Sequence, residues 1–105
     1  MFGSELLCAL VAETDAGKVA GFVGIYQHPE ALYLSILIDA RHRRSGLGSV
    51  LVEAAFKRLP GELQVEAWVG EFNEASQAAM PRFGFEQDRL VQDQGQTVLV
   101  FVRRT

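Results

Sequence analysis

Ala31-Leu32-Tyr33-Leu34-Ser35-Ile36-Leu37-Ile38, then Asp39-Ala40, then Arg41-His42-Arg43-Arg44-Ser45-Gly46-Leu47-Gly48, is the stretch from which the fold can be read. Ala31 to Ile38 is almost continuously apolar, the pattern of a strand covered on both faces of a sheet. Two glycines follow where the chain must turn from strand into helix, and basic side chains precede them. Backbone N–H groups at a helix start, unobstructed by side chains and flanked by arginines, make a seat for a phosphate-bearing ligand.

Working outward, the pattern after Gly48 becomes helical. Leu47, Leu51, Ala54, Ala55 and Leu59 fall on one face, with Ser49, Glu53 and Lys57 on the other. Glu53 and Lys57 are spaced for an ion pair along the helix. Pro60-Gly61 ends it, and Leu63 to Val69 alternates as a strand does, with Gln64, Glu66 and Trp68 on its second face. A strand, helix and strand over this length predict a parallel pair. Upstream, Leu6 to Glu13 and Val19 to Tyr26 read as strands joined by Thr14-Asp15-Ala16-Gly17-Lys18, a hairpin. Gly21 and Gly24 within the second strand predict a bulge or a close backbone approach. His28-Pro29-Glu30 then breaks the chain. Downstream, Asn73 to Arg82 predicts a short helix with Asn73 as its cap, ending or kinking near Met80 because of Pro81. Phe85 to Val91 and Thr97 to Arg103 predict two last strands. The fold class is therefore α/β: a mixed, mostly antiparallel sheet with one parallel pair and flanking helices.

A chain of 105 residues and 11.6 kDa is expected to form a single domain, residues 1–105, with a modest core. The net charge of −3 argues against a nucleic-acid partner and makes the arginine cluster a local feature. Its bland alternative is a solvated basic turn. One cysteine, Cys8, allows no internal disulfide and fits a reducing compartment, so cytoplasm is the expected location. Cys8 lies in an apolar run and reads as packing. No apolar run approaches the ~20 residues needed to span a membrane, and Met1-Phe2-Gly3-Ser4-Glu5 lacks the basic start of a signal peptide. Glu66 reads as a solvated strand face, Trp68 as packing and His28 as a turn residue.

Arg43-Arg44-Ser45-Gly46-Leu47-Gly48 reads R-x-x-G-x-G. No Lys-Ser/Thr follows, as a Walker loop requires, and Leu51 stands where a dinucleotide fingerprint has its third glycine. Set between strand and helix, and followed by Asn73 and Phe83-Gly84-Phe85, the motif resembles that of the GNAT superfamily of acyl-CoA-dependent N-acetyltransferases. The resemblance covers nearly the whole chain.

It implies a fold whose parallel strands splay apart, with acetyl-CoA as co-substrate and no metal. The pyrophosphate would lie on the amides of Arg43, Arg44, Ser45, Gly46, Leu47, Gly48 and Ser49. The pantetheine arm would run beside Ile36, Leu37 and Ile38 and meet Asn73. A backbone N–H of the central strand would polarise the thioester carbonyl. The resemblance further implies transfer to a primary amine, of a small molecule or a peptide, and a homodimer. Two positions depart from the family pattern. Met80 stands where a tyrosine often protonates the departing thiolate, and methionine has no proton to give. Ser35 stands where a central-strand carboxylate often takes the amine proton. Ser35 and Glu66 are the catalytic candidates that remain. The family's usual start, a strand and two helices walling the acceptor site, would end near Met1-Phe2-Gly3. These departures leave open a non-catalytic acyl-CoA-binding or regulatory domain with a degenerate site, and a purely structural domain.

Overall fold

The computed structural model describes residues 5–105. The Met1-Phe2-Gly3-Ser4 start, and what it says about a signal peptide, lies outside them. Strands β1 (Glu5–Glu13), β2 (Val19–Gln27) and β3 (Leu32–Ile38) form an antiparallel meander. Helix α1 (Leu47–Phe56) crosses to β4 (Gln64–Gly70), and a short helix α2 (Glu74–Ala79) leads to β5 (Glu86–Asp93) and β6 (Gln96–Arg104). The sheet order is β1-β2-β3-β4-β6-β5, and β3 with β4 is its one parallel contact. Leu32 opposite Val65 and Tyr33 opposite Glu66 are the two pairs in that contact. Beyond Tyr33 the two strands diverge, and the predicted splay is present.

The hairpin closes as its sequence requires. Gly17 takes a φ of 77°, and its N–H donates to the Thr14 carbonyl at 2.9 Å. One irregularity leaves Leu7 of β1 without an opposite residue, and the other leaves Ala20 of β2, next to Gly21. Gly21 serves a close approach: a β-carbon there would lie 2.8 Å from Cδ1 of Ile38 and 3.0 Å from Cδ1 of Leu51.

The core lies between one face of the sheet and α1, joined by Met80 and Phe85. Ile25, Val23, Leu32, Val65, Ala67 and Phe101 supply its floor. Leu34, Ile36 and Ile38 of β3 pack on this face. Alternation sends Tyr33, Ser35 and Leu37 to the other, where Ser35 is exposed and Leu37 is 69% exposed. The expectation that both faces of β3 are covered is thus corrected. A continuous apolar run does not say whether a second layer packs on it.

Helix α1 stops at Phe56, short of the expected Leu59, and buries Leu51, Val52, Ala55 and Phe56. The apolar stripe is wider than the one read from spacing, with Leu47 and Leu59 at its rim. Glu53 pairs with Arg103 of β6 at 2.7 Å instead of with Lys57. Arg103 also donates to the Phe83 carbonyl at 2.8 Å and lies 4.1 Å from the centre of the Phe56 ring, tying β6, α1 and the Met80–Phe83 turn together. The helix from Asn73 ends at Ala79. Pro81, lacking an N–H, sits at the start of a 3₁₀ turn, as its ring requires. Cys8 packs on the core, as read.

Candidate active site

The loop after β3 is built from its own polar side chains. The Asp39 N–H donates to the Ala20 carbonyl at 2.8 Å, and the Asp39 carboxylate meets Arg41 Nε and His42 Nδ1, each at 3.2 Å. Desolvation opposes ionisation of Asp39. The hydrogen bonds from His42 and Arg41 outweigh it and hold the carboxyl below its usual range. Ser45 Oγ donates to the His42 carbonyl and accepts from the Leu47 N–H at 3.4 Å. Arg43 and Arg44 remain exposed, with Arg43 Nε 3.4 Å from the Ile38 carbonyl. Arg44 and Gly46 take positive φ values of 64° and 83° to make the turn.

The first bond of α1 runs from the Val50 N–H to the Gly46 carbonyl at 3.1 Å. The amides of Gly48 and Ser49 therefore open the helix without partners inside it, and no acidic residue stands in the first turn. A β-carbon on Gly46 would meet nothing within 4 Å, so the space above this amide is open. Gly48 is glycine for another reason: a β-carbon there would lie 2.8 Å from Cζ of Phe83. On the hairpin side of the loop, a recess of about 480 Å³ includes Glu13 and Asp15 in its walls. Those carboxylates make it a poor seat for phosphate.

The cofactor-binding candidates divide by face. Ile36 and Ile38 point with the core, Ile36 next to Gly48, while Leu37 faces away. Asn73 Oδ1 accepts from the Ser76 N–H at 3.2 Å, so its side chain caps α2. Met80 is 3% exposed and belongs to the core.

Ser35 and Glu66 share the face turned away from α1, Ser35 exposed and Glu66 6% exposed. The reading of Glu66 as solvated is corrected. Its Oε1 accepts from Trp68 Nε1 at 2.9 Å, and its Oε2 accepts from Arg89 Nη2 at 3.0 Å. Arg89 reaches it from β5, past β6, and also binds Asp88 at 2.8 Å. Hydrogen bonds to Asp88 and Glu66 hold the guanidinium still more firmly protonated. Tyr33 meets Trp68 edge-on, ring centres 5.9 Å apart, and His28 meets Tyr33 at 5.6 Å. Burial, then the charges of Glu66 and Glu30, push the Tyr33 hydroxyl above its ordinary value. Tyr33 was passed over in the sequence, although the alternation that places Ser35 places it too. Trp68 is 40% exposed and does more than pack.

Solved structures share this fold. Nourseothricin acetyltransferase aligns over 98% of this chain and 66% of its own, at 26% identity and a TM-score of 0.73. A GnaT-family acetyltransferase from Bordetella pertussis aligns over 90% of this chain and 64% of its own, at 20% identity and a TM-score of 0.74. An acetyltransferase from Acinetobacter baylyi aligns over 92% of this chain and 63% of its own, at 18% identity and a TM-score of 0.76. The chain thus spans just under two thirds of the length of these proteins. No curated protein sequence matches it. The model of the acetyltransferase (GNAT) family matches residues 2–85, most of the chain, and the chain belongs to that family.

Proposed function

We propose that this chain, acting as a single domain, binds acetyl-CoA and transfers its acetyl group to a primary amine within a ternary complex. One observation carries the reading: the open amides at the start of α1, flanked by Arg43 and Arg44, stand at the end of β3, where β3 and β4 splay. Helix-start amides and guanidinium groups favour a phosphate diester, and the splay leaves room for an extended arm. Acetyl-CoA supplies the acyl group as a thioester, and the products are an amide and free thiol.

Arg43 and Arg44 through their charge, and the amides of Gly46, Leu47, Gly48 and Ser49, hold the phosphates. Ile36, Leu37 and Ile38 flank the arm, and Asn73 fixes the start of α2 beside it. Beyond Tyr33, backbone groups of β3 that face β4 have no strand partner. Such an N–H can polarise a carbonyl. Ser35 holds the amine, or a water beside it, and Glu66 takes the amine proton through water. Each Glu66 oxygen makes one hydrogen bond to the protein and has a lone pair left. The thiolate takes its proton from water, because Met80 has none to give.

The acceptor is a small-molecule or peptide amine, in the cytoplasm. The edge strand β1 exposes Leu6, Leu7 and Val11, which supports a homodimer joined through that strand. The burial of Met80 favours a second reading, an acyl-CoA-binding module without turnover. Thiol release from acetyl-CoA with a panel of primary amines separates them. Amine-dependent release supports the transferase, and binding without release supports the module.

A further inference from the structure

Arg89 faces Glu66 because β5 carries a bulge. Gln87 lies opposite Phe101 of β6, and the next pair along is Arg89 with Val100, so Asp88 has no opposite residue. In an unbroken register Asp88 would stand opposite Val100, and Arg89 would turn to the face of Phe101. The extra residue sends Arg89 to the other face, the one turned away from α1. Trp68 lies opposite Val100 from the β4 side, so Trp68, Val100 and Arg89 form one row across three strands. Val100 is fully buried between its two large neighbours. From that row the guanidinium reaches diagonally over β6 to Glu66, which lies opposite Val102.

Glu66 is thereby held at both oxygens, by Trp68 Nε1 at 2.9 Å and by Arg89 Nη2 at 3.0 Å. With the indole alone, the carboxylate could turn about its last single bond and keep that contact. With both partners it cannot turn without breaking one, so the lone pairs left on its oxygens keep a single direction. Asp88 binds the same guanidinium at 2.8 Å. Once Glu66 has taken a proton its charge is gone, and Asp88 still balances Arg89. The bulge therefore delivers the guanidinium and its second carboxylate together.

We propose that Arg89 is a positioning residue for Glu66, acting through that carboxylate to fix the direction from which it takes the amine proton. Arg89 touches neither the amine nor coenzyme A. The role rests on the transferase reading with Glu66 as its base. An arginine that only covers Val100 and offsets a buried charge would make the same contacts, and kinetics separates the two.

The test measures thiol release from acetyl-CoA by the full chain with benzylamine, ethanolamine and glycinamide. Arg89→Met keeps an apolar stem over Val100 and loses the charge. It should lower kcat about tenfold or more, within the range that a general base contributes, with KM for the amine and the affinity for CoA unchanged. Arg89→Lys, which keeps the charge, should restore part of the loss. Glu66→Gln should lower kcat by more, and adding Arg89→Met to it should cost nothing further, because the arginine acts through the carboxylate. Should Arg89→Met not fold by circular dichroism, Arg89→Gln takes its place in the cycle. An undiminished kcat in the folded variant, a raised KM in place of a lowered kcat, or a loss that adds to that of Glu66→Gln overturns the role and leaves the transferase reading standing. Inactivity of the wild type with all three amines sinks that reading and the role with it.

Discussion

The ring of Phe83 lies against Gly48, so close that a β-carbon on the glycine would sit 2.8 Å from Cζ and 2.9 Å from Cε1. The turn after α2 thereby sets the height at which α1 begins. Gly48→Ala should cost about 1–3 kcal/mol in urea unfolding, the usual penalty for overpacking. Phe83→Leu in the same background should recover part of that loss, because the clash is with the ring. Full stability of Gly48→Ala would mean that the ring moves freely and does not position the loop.

Glu66 and Trp68 make a second testable contact. Glu66→Ala removes the acceptor of the indole N–H and one of two carboxylates on Arg89. Arg89 keeps Asp88, so the main loss is at Trp68, and about 1–3 kcal/mol of stability should go. The emission of Trp68 should shift at the same time. An unchanged spectrum would show that the hydrogen bond does not hold the ring.

The Glu53–Arg103 pair predicts a pH dependence. The hydrogen bond from Arg103, against opposing desolvation and with the charges of Arg103 and Lys57, holds the Glu53 carboxyl below its usual range. A depressed value means the contribution is fully present above the ordinary glutamate range and is lost as pH falls through the folded value. Glu53 is half exposed, so Glu53→Gln should cost no more than about 1 kcal/mol at neutral pH. That difference should vanish in acid. A constant difference across the range would show that the pair does not titrate with folding.

The exposed edge of β1 predicts self-association. Light scattering at high micromolar concentration should give a dimer, and Val11→Lys, whose side chain is 52% exposed, should give a monomer with its fold intact. A monomer at every concentration, with stability independent of concentration, would contradict it.

Much of this architecture is legible in the chain because alternation, turn chemistry and the 3.6-residue period act locally. The hairpin around Gly17, the parallel pair and the break at Pro81 all follow from neighbours in sequence. The face of β3 around Ser35 and Leu37 does not, since an apolar run is silent about whether a second layer covers it. Glu66 looked solvated because its partner Arg89 comes from a strand that is not its neighbour. Gly48 read as room for a ligand, yet the ring that demands it arrives from Phe83. Met80 is a missing acid only through the resemblance and reads by itself as core filler, and its burial fits that second reading. Met80→Tyr would therefore place a hydroxyl among apolar side chains rather than at a thiolate.

The central claim is that the loop from Arg43 to Ser49 holds the phosphates of coenzyme A, and isothermal titration with CoA tests it most directly. The wild-type chain should bind. Arg43→Ala removes a charge-assisted contact worth about 1.5–3 kcal/mol and should weaken binding by roughly one to two decades. Gly46→Val fills the open space above the amides, at a position whose φ of 83° already disfavours it, and should abolish binding in a chain still folded by circular dichroism. Absence of binding in the wild type, or unchanged affinity in both variants, would contradict the account.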